Sequence, residues 1–232
     1  MSSSPSPAPD LAIRPPLATR AIGGVGTSIL IGGAIGVAAW VSDQLPHPFG
    51  LLLPANAIGA WLGVAFALGA SARTIPTGAL RGVIGLLTAI SAYYALFAIF
   101  GQGYRVIGAS HAATIWGAVA LVTGPMMGLA GGTWRHGTGW PRALAVAVLA
   151  AALIAEGVMF GAGRLAHVDQ LGTDAGALLL GAEIVLGALL PWVLLPSAER
   201  LRGYVATSGL AIAGALAIGP VSTLIRAIAD RF

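Results

Sequence analysis

The chain has 232 residues, 57% of them hydrophobic and only 9% charged, with a formal net charge of +4 and a mean hydropathy of +0.88, so its solvent is the bilayer. It holds no cysteine, which excludes disulfides, thiolate metal sites and cysteine nucleophiles. Its twelve basic residues are all arginines spread through short connections, so there is no basic patch for nucleic acid and no lysine for a retinal-type Schiff base.

Residues 1–20 are rich in Ser and Pro without apolar periodicity, and they predict a disordered tail. Residues 21–232 predict one transmembrane helical domain. Ala21 to Val41 is long enough to cross a core of about 30 Å, exceeds a signal-peptide core and lacks a convincing cleavage site, so it is expected to be a retained first helix. The stretch from His47 to Asn56 is apolar but broken by Pro48 and Pro54, and suits an interfacial or re-entrant segment. Asn56 is a candidate N-cap for a short second helix, Ala57 to Ser71. Further spans are expected at Leu80 to Phe100, Ala112 to Gly132, Arg142 to Gly161, Ala175 to Leu195 and Tyr204 to Ile225. The fold class is therefore an all-α polytopic transmembrane bundle of about seven helices. Six spans plus a re-entrant or interfacial segment broken at Pro220 is the alternative.

Eight arginines, from Arg14 and Arg20 to Arg200 and Arg202, fall on the side of the N-terminus, whereas Arg105, Arg164, Arg226 and Arg231 fall on the other. The positive-inside rule then places the N-terminus in the cytoplasm of a multi-pass plasma-membrane protein. With that orientation Glu156 and Glu183 share a depth, about 9 and about 12 Å from the outer ends of helices 5 and 6. They are the only acidic residues deep within the spans, where a carboxylate costs roughly 2.5 kcal/mol or more. Trp61, Tyr93, Tyr94 and Trp116 reach the same layer, about 8–11 Å deep.

Aromatic faces beside carboxylates suit an organic cation, an amine or a nitrogen heterocycle. Two acids in low dielectric do not both ionise readily without a cation, so at least one is expected to be protonated in the empty site, and proton coupling is the natural mechanism if one glutamate changes protonation when the ligand arrives. The expected substrate-binding residues are Glu156, Glu183, Tyr93, Tyr94, Trp61 and Trp116, with Asn56 and His111 at the outer end. An interfacial aromatic belt is the bland alternative for each ring. A structural hydrogen bond to a neighbouring helix is the alternative for each acid.

His47, His111 and His167 share the outer side with Asp43, Asp169 and Asp174, but no pair has the spacing of a metal motif, so no metal or other cofactor is expected. His136 lies on the opposite side. There is no nucleophile elbow, no His-Glu-x-x-His and no Walker loop. A membrane-embedded enzyme using Glu156 or Glu183 as acid or base is thus the second reading. Small residues recur every four positions at Gly24, Ser28, Gly32 and Gly36 in helix 1, and at Gly124, Gly128 and Gly132 in helix 4. Thr207, Ala211, Ala215 and Gly219 form a third ladder. Such ladders serve helix packing within the chain, and the one on helix 1 is also a candidate face for a partner subunit or a second copy.

The run from Asn56 to Trp61, then Ala65 to Gly69, the Tyr93-Tyr94 pair, Gly124-Pro125 with its following glycines, and Glu156 resemble the pattern of an uncharacterised family of integral membrane proteins, mainly from high-GC Gram-positive bacteria. The resemblance covers roughly residues 45 to 195 and implies a location, not an activity. A second, architectural likeness is to the substrate-binding components of energy-coupling-factor importers. The expected function is a transporter or substrate-capture subunit for a small polar solute, including a cation, in an outward-facing pocket. A structural subunit docking through its small-residue faces is the third class.

Overall fold

The computed structural model describes residues 17–45, 57–100, 104–165 and 174–229. Over these residues it is all-helical: α1 Leu17–Gln44, α2 Ile58–Ala70, α3 Ile75–Phe100, α4 Tyr104–His136, α5 Gly139–Leu165, α6 Asp174–Leu194 and α7 Ser197–Ala229. Each predicted span falls on one of these seven helices. Segments of α1, α3, α4 and α5 are each at least 21 residues long and apolar enough to cross a membrane. The 13 residues of α2 span only about 20 Å. The predicted tail overlaps the start of α1 at residues 17–20, and its remainder, like the segment from residue 46 to Asn56, lies outside the described residues. The backbone of α7 is continuous helix across the position where a break was the alternative.

Local chemistry sets several boundaries. The α2–α3 connection ends in a reciprocal pair: the Thr74 N–H donates to Thr77 Oγ1 at 3.2 Å and the Thr77 N–H to Thr74 Oγ1 at 3.4 Å. That arrangement occupies donors the new helix leaves open, and Pro76 sits in the first turn, where a missing N–H costs nothing. Gly139 opens α5 with φ of 64°, a left-handed conformation that a side chain would strain. Its N–H donates to Glu199 Oε1 at 2.8 Å, so the first turn of α7 caps α5, and Arg142 stands 4.0 Å from the same carboxylate.

The helices pack in sequence around α4 and α5. α3 lies between α1 and α4; α2 leans on α3, α4 and α5; α5 carries α6 and α7 on its far side. A core of Phe66, Leu86, Ile90, Met127 and Leu149 fills the junction of α2 to α5. Backbone proximity replaces side-chain interdigitation at several seams, as expected where apolar burial drives nothing between helices. A methyl added to Gly32 of α1 would run into the Gly85 carbonyl of α3, and one added to Gly36 into that of Ala89. Across the next seam a Cβ on Gly78 would lie 2.7 Å from the Gly128 carbonyl oxygen.

The helix-1 ladder is therefore turned inward. Ser28, Gly32 and Gly36 are buried against α3, and the Arg81 guanidinium lies over Gly24, its Nε donating to the Gly24 carbonyl at 3.2 Å. Gly32 and Gly36 thus serve packing within the chain, while Gly24 is half-buried beneath the Arg81 side chain. Side chains also tie the arginine-rich ends together. Trp134 Nε1 donates to the Leu194 carbonyl at 3.0 Å, His136 Nε2 to that of Ala72 at 2.9 Å, and Arg81 to Ser71 Oγ at 2.7 Å.

Candidate functional site

At the opposite end of the bundle, α2, α3 and α4 leave a cavity of about 240 Å³ between them. Its walls are Ile58, Trp61 and Leu62 from α2, Leu86, Ile90, Tyr93 and Tyr94 from α3, and Trp116, Val119, Ala120 and Thr123 from α4. All four aromatic residues expected in the layer are present. The rings brace one another: Trp61 and Tyr93 meet edge-on at 6.3 Å, Tyr93 and Tyr94 at 4.9 Å, and Phe97 lies tilted 5.3 Å from Tyr93. Their faces and edges offer quadrupole contacts without further rearrangement. On the α4 side the wall is partly open, with Trp116 and Val119 each about two-fifths exposed.

Asp43 completes this end. The Tyr93 hydroxyl donates to its carboxylate, so an acid from the last turn of α1 is fixed beside the aromatic cluster. The sequence points to Asp43 only as a loop acid near the histidines. Its position at the end of helix 1, matched in depth to the end of helix 3, is the signal that pairs it with Tyr93.

The two glutamates sit behind the cavity. Glu156 on α5 reaches across to α2, where Oε1 accepts the Ile58 N–H at 2.7 Å and Oε2 accepts the Gly59 N–H. Ala57 provides no side-chain cap, so Glu156 supplies the acceptors that the first turn of α2 lacks. This is a structural hydrogen bond to a neighbouring helix, the alternative stated for each acid. Glu183 on α6 is 5% exposed, and its Oε2 has no hydrogen-bond partner among the described residues. A Cβ built on Gly59 would lie 3.2 Å from Glu156 Oε2 and 3.6 Å from Glu183 Oε1, so both carboxylates converge on the bare face of one glycine. Between acids and rings stands a single turn of helix: Ile58 lines the cavity on one side while its N–H meets Glu156 on the other.

The remaining candidates separate from this cluster. His111 is exposed on α4 and is not among the cavity walls, and Asn56 lies outside the described residues. No group of three or more His, Asp and Glu that could hold a metal occurs among the described residues. The polar side chains in the cavity lining are Tyr93, Tyr94, Thr123, Trp61 and Trp116; the Thr123 hydroxyl donates to the Val119 carbonyl at 2.9 Å and the Tyr93 hydroxyl to Asp43, a set suited to binding and orienting a ligand. Ile58 and Gly59 are the site residues that the sequence does not single out, and Asp43 is singled out there only beside the histidines.

The model of a family described as "Family of unknown function (DUF6518)" matches residues 15–227. No curated protein and no solved structure matches the chain.

Proposed function

We propose, for a chain that belongs to this family of unknown function, that it is an integral membrane transporter or substrate-capture subunit whose ligand is a small amphipathic molecule with an apolar or aromatic body and a cationic head. The convergence of Trp61, Tyr93, Tyr94 and Trp116 from three helices on one cavity carries this reading. A volume of about 240 Å³ exceeds the ~150 Å³ that takes up a single benzene ring, leaving room for a compact head. Four rings and an Asp43 carboxylate held by Tyr93 favour a positive charge at the aromatic end. The largely apolar walls favour a lipophilic body over the freely polar solute that the sequence suggests. Partial exposure of Trp116 and Val119 supports entry from the side of α4.

The arginine distribution supports a cytoplasmic N-terminus in a bacterial plasma membrane, an orientation in which this cavity belongs to the extracytoplasmic half. Benzyltrimethylammonium is a suitable probe. Added to the purified full-length protein, it is expected to raise the thermal unfolding temperature, and Trp116→Ala or Trp61→Ala is expected to abolish the rise. Equal stabilisation of both variants and the wild type would place the probe elsewhere and sink the reading. Uptake of the labelled probe into proteoliposomes then separates a transporter from a capture subunit.

A further inference from the structure

We propose that Glu156 and Glu183 form one proton-binding site that holds a single proton between two carboxylates, and that its occupancy secures the first turn of α2. The geometry is a convergence of two acids from different helices on Gly59, with one oxygen of the nearly fully buried Glu183 left without a partner among the described residues. Burying one charge costs several kcal/mol, and a second like charge at the same place adds to it. Glu156 already accepts the Ile58 and Gly59 N–H groups, an arrangement suited to an ionised carboxylate at a helix N-terminus. The proton therefore belongs on Glu183, taken up from water as the carboxylate becomes a carboxyl group and returned to water when it leaves. Loss of the proton puts two anions side by side and pushes Glu156 off α2.

Among the described residues, no other titratable side chain packed against the pair competes for that role. α2 contributes backbone donors and no titratable side chain. On α4, Arg135 and His136 lie at the far end, where His136 meets Ala72, and His111 is exposed. On α7, Glu199 pairs with the start of α5, about 25 Å of helix from Glu156. Asp43, Tyr93 and Tyr94 lie on the cavity side of Ile58. A metal cation fits less well than a proton. Both oxygens of Glu156 are committed to N–H donors, whereas a hard cation wants six or more oxygens.

The test does not depend on any ligand of the cavity. Infrared difference spectra of the full-length protein in nanodiscs, recorded between acid and alkaline pH, are expected to show a carboxylic-acid C=O band that shifts in D₂O. Glu183→Gln, which mimics the protonated form, is expected to remove the band and to flatten the pH dependence of thermal unfolding while preserving the fold. If Glu183→Gln fails to accumulate, ¹³C labelling of glutamate assigns the wild-type band, and Glu199→Gln excludes the third glutamate of the chain. A band untouched by glutamate labelling or by Glu183→Gln overturns the proposal. So does stabilisation by sodium over choline at alkaline pH in the absence of any such band.

Discussion

Glu156 accepts the Ile58 N–H at 2.7 Å, so the start of one helix is finished by the side chain of another 98 positions along the chain. The contact joins α2 to α5 at Ile58, which also lines the aromatic cavity, so cavity and carboxylate pair are a single helical turn apart there. A change on either side of Ile58 has a direct route to the other.

Removing that acceptor leaves two N–H groups unpaired in a partly buried site. Glu156→Ala is expected to cost roughly 2 kcal/mol or more, because an unsatisfied buried donor carries its desolvation penalty. Glu156→Gln keeps one acceptor oxygen and is expected to lose about 1 kcal/mol, in the range of a weakened cap. Thermal unfolding of both variants orders them, and the Ala variant being as stable as the Gln variant would show that the clamp contributes nothing.

The seam between α1 and α3 makes a second prediction. Gly32→Ala places a methyl against the Gly85 carbonyl, a backbone group that cannot swing aside, so the helices must part. Gly26→Ala on the same helix meets no atom within 4 Å and is expected to be neutral or slightly stabilising, since Ala favours helix by up to ~1 kcal/mol. A lower unfolding temperature for Gly32→Ala alone is the expected result. If Gly32→Ala unfolded like wild type but lost a co-purifying partner, the ladder would serve docking after all.

Much of this architecture was legible because the bilayer imposes simple rules. An apolar run of span length must be a helix, and the predicted spans from Ala21 to Ile225 each fall on one; α1, α3, α4, α5 and α7 are longer than their spans because polar ends extend beyond the apolar segment, whereas α2 is slightly shorter and α6 matches its span in length. Counting residues inward from span ends also placed Trp61, Tyr93, Tyr94 and Trp116 in one layer, and they line one cavity. Depth along a helix says nothing about rotation around it. Glu156 and Glu183 share the layer yet face the far side of α2, and His111 is turned outward. The sequence could not show that Gly59 opens the space into which both acids reach, because a glycine ladder looks the same wherever its bare face points.

The cation-binding reading separates charge from shape at Asp43. Asp43→Asn retains size and a hydrogen-bond acceptor for Tyr93 while removing the charge. Affinity for benzyltrimethylammonium is expected to fall roughly tenfold, or ~1.4 kcal/mol, with the neutral isostere neopentylbenzene unaffected. Calorimetric titration measures both. Equal losses for the charged and neutral probes would mean that Asp43 shapes the cavity without attracting charge.

Gly59 and Gly63 allow the carboxylate side of α2 to be probed with one kind of substitution in one helix, so that intrinsic helix preference cancels between them. A Cβ at Gly63 meets nothing within 4 Å, and Gly63→Ala is expected to be neutral. A Cβ at Gly59 runs into a methyl of Leu153 and comes within 3.2 Å of Glu156 Oε2. The Leu153 methyl is the end of a flexible side chain and can turn away. The carboxylate is less free, because moving it surrenders the Ile58 and Gly59 N–H groups together. Gly59→Ala should therefore destabilise by about 1–2 kcal/mol, the scale of a lost cap. Leu153→Ala makes room but opens a cavity of its own, at a cost of about 2 kcal/mol or more. If the crowding is local, the double variant is less destabilised than the two single effects added, because each change relieves part of the other. Thermal unfolding of the four proteins in this cycle measures the coupling. Strict additivity would show that the methyl at position 59 never meets Leu153, and that α2 enters the bundle by a different face.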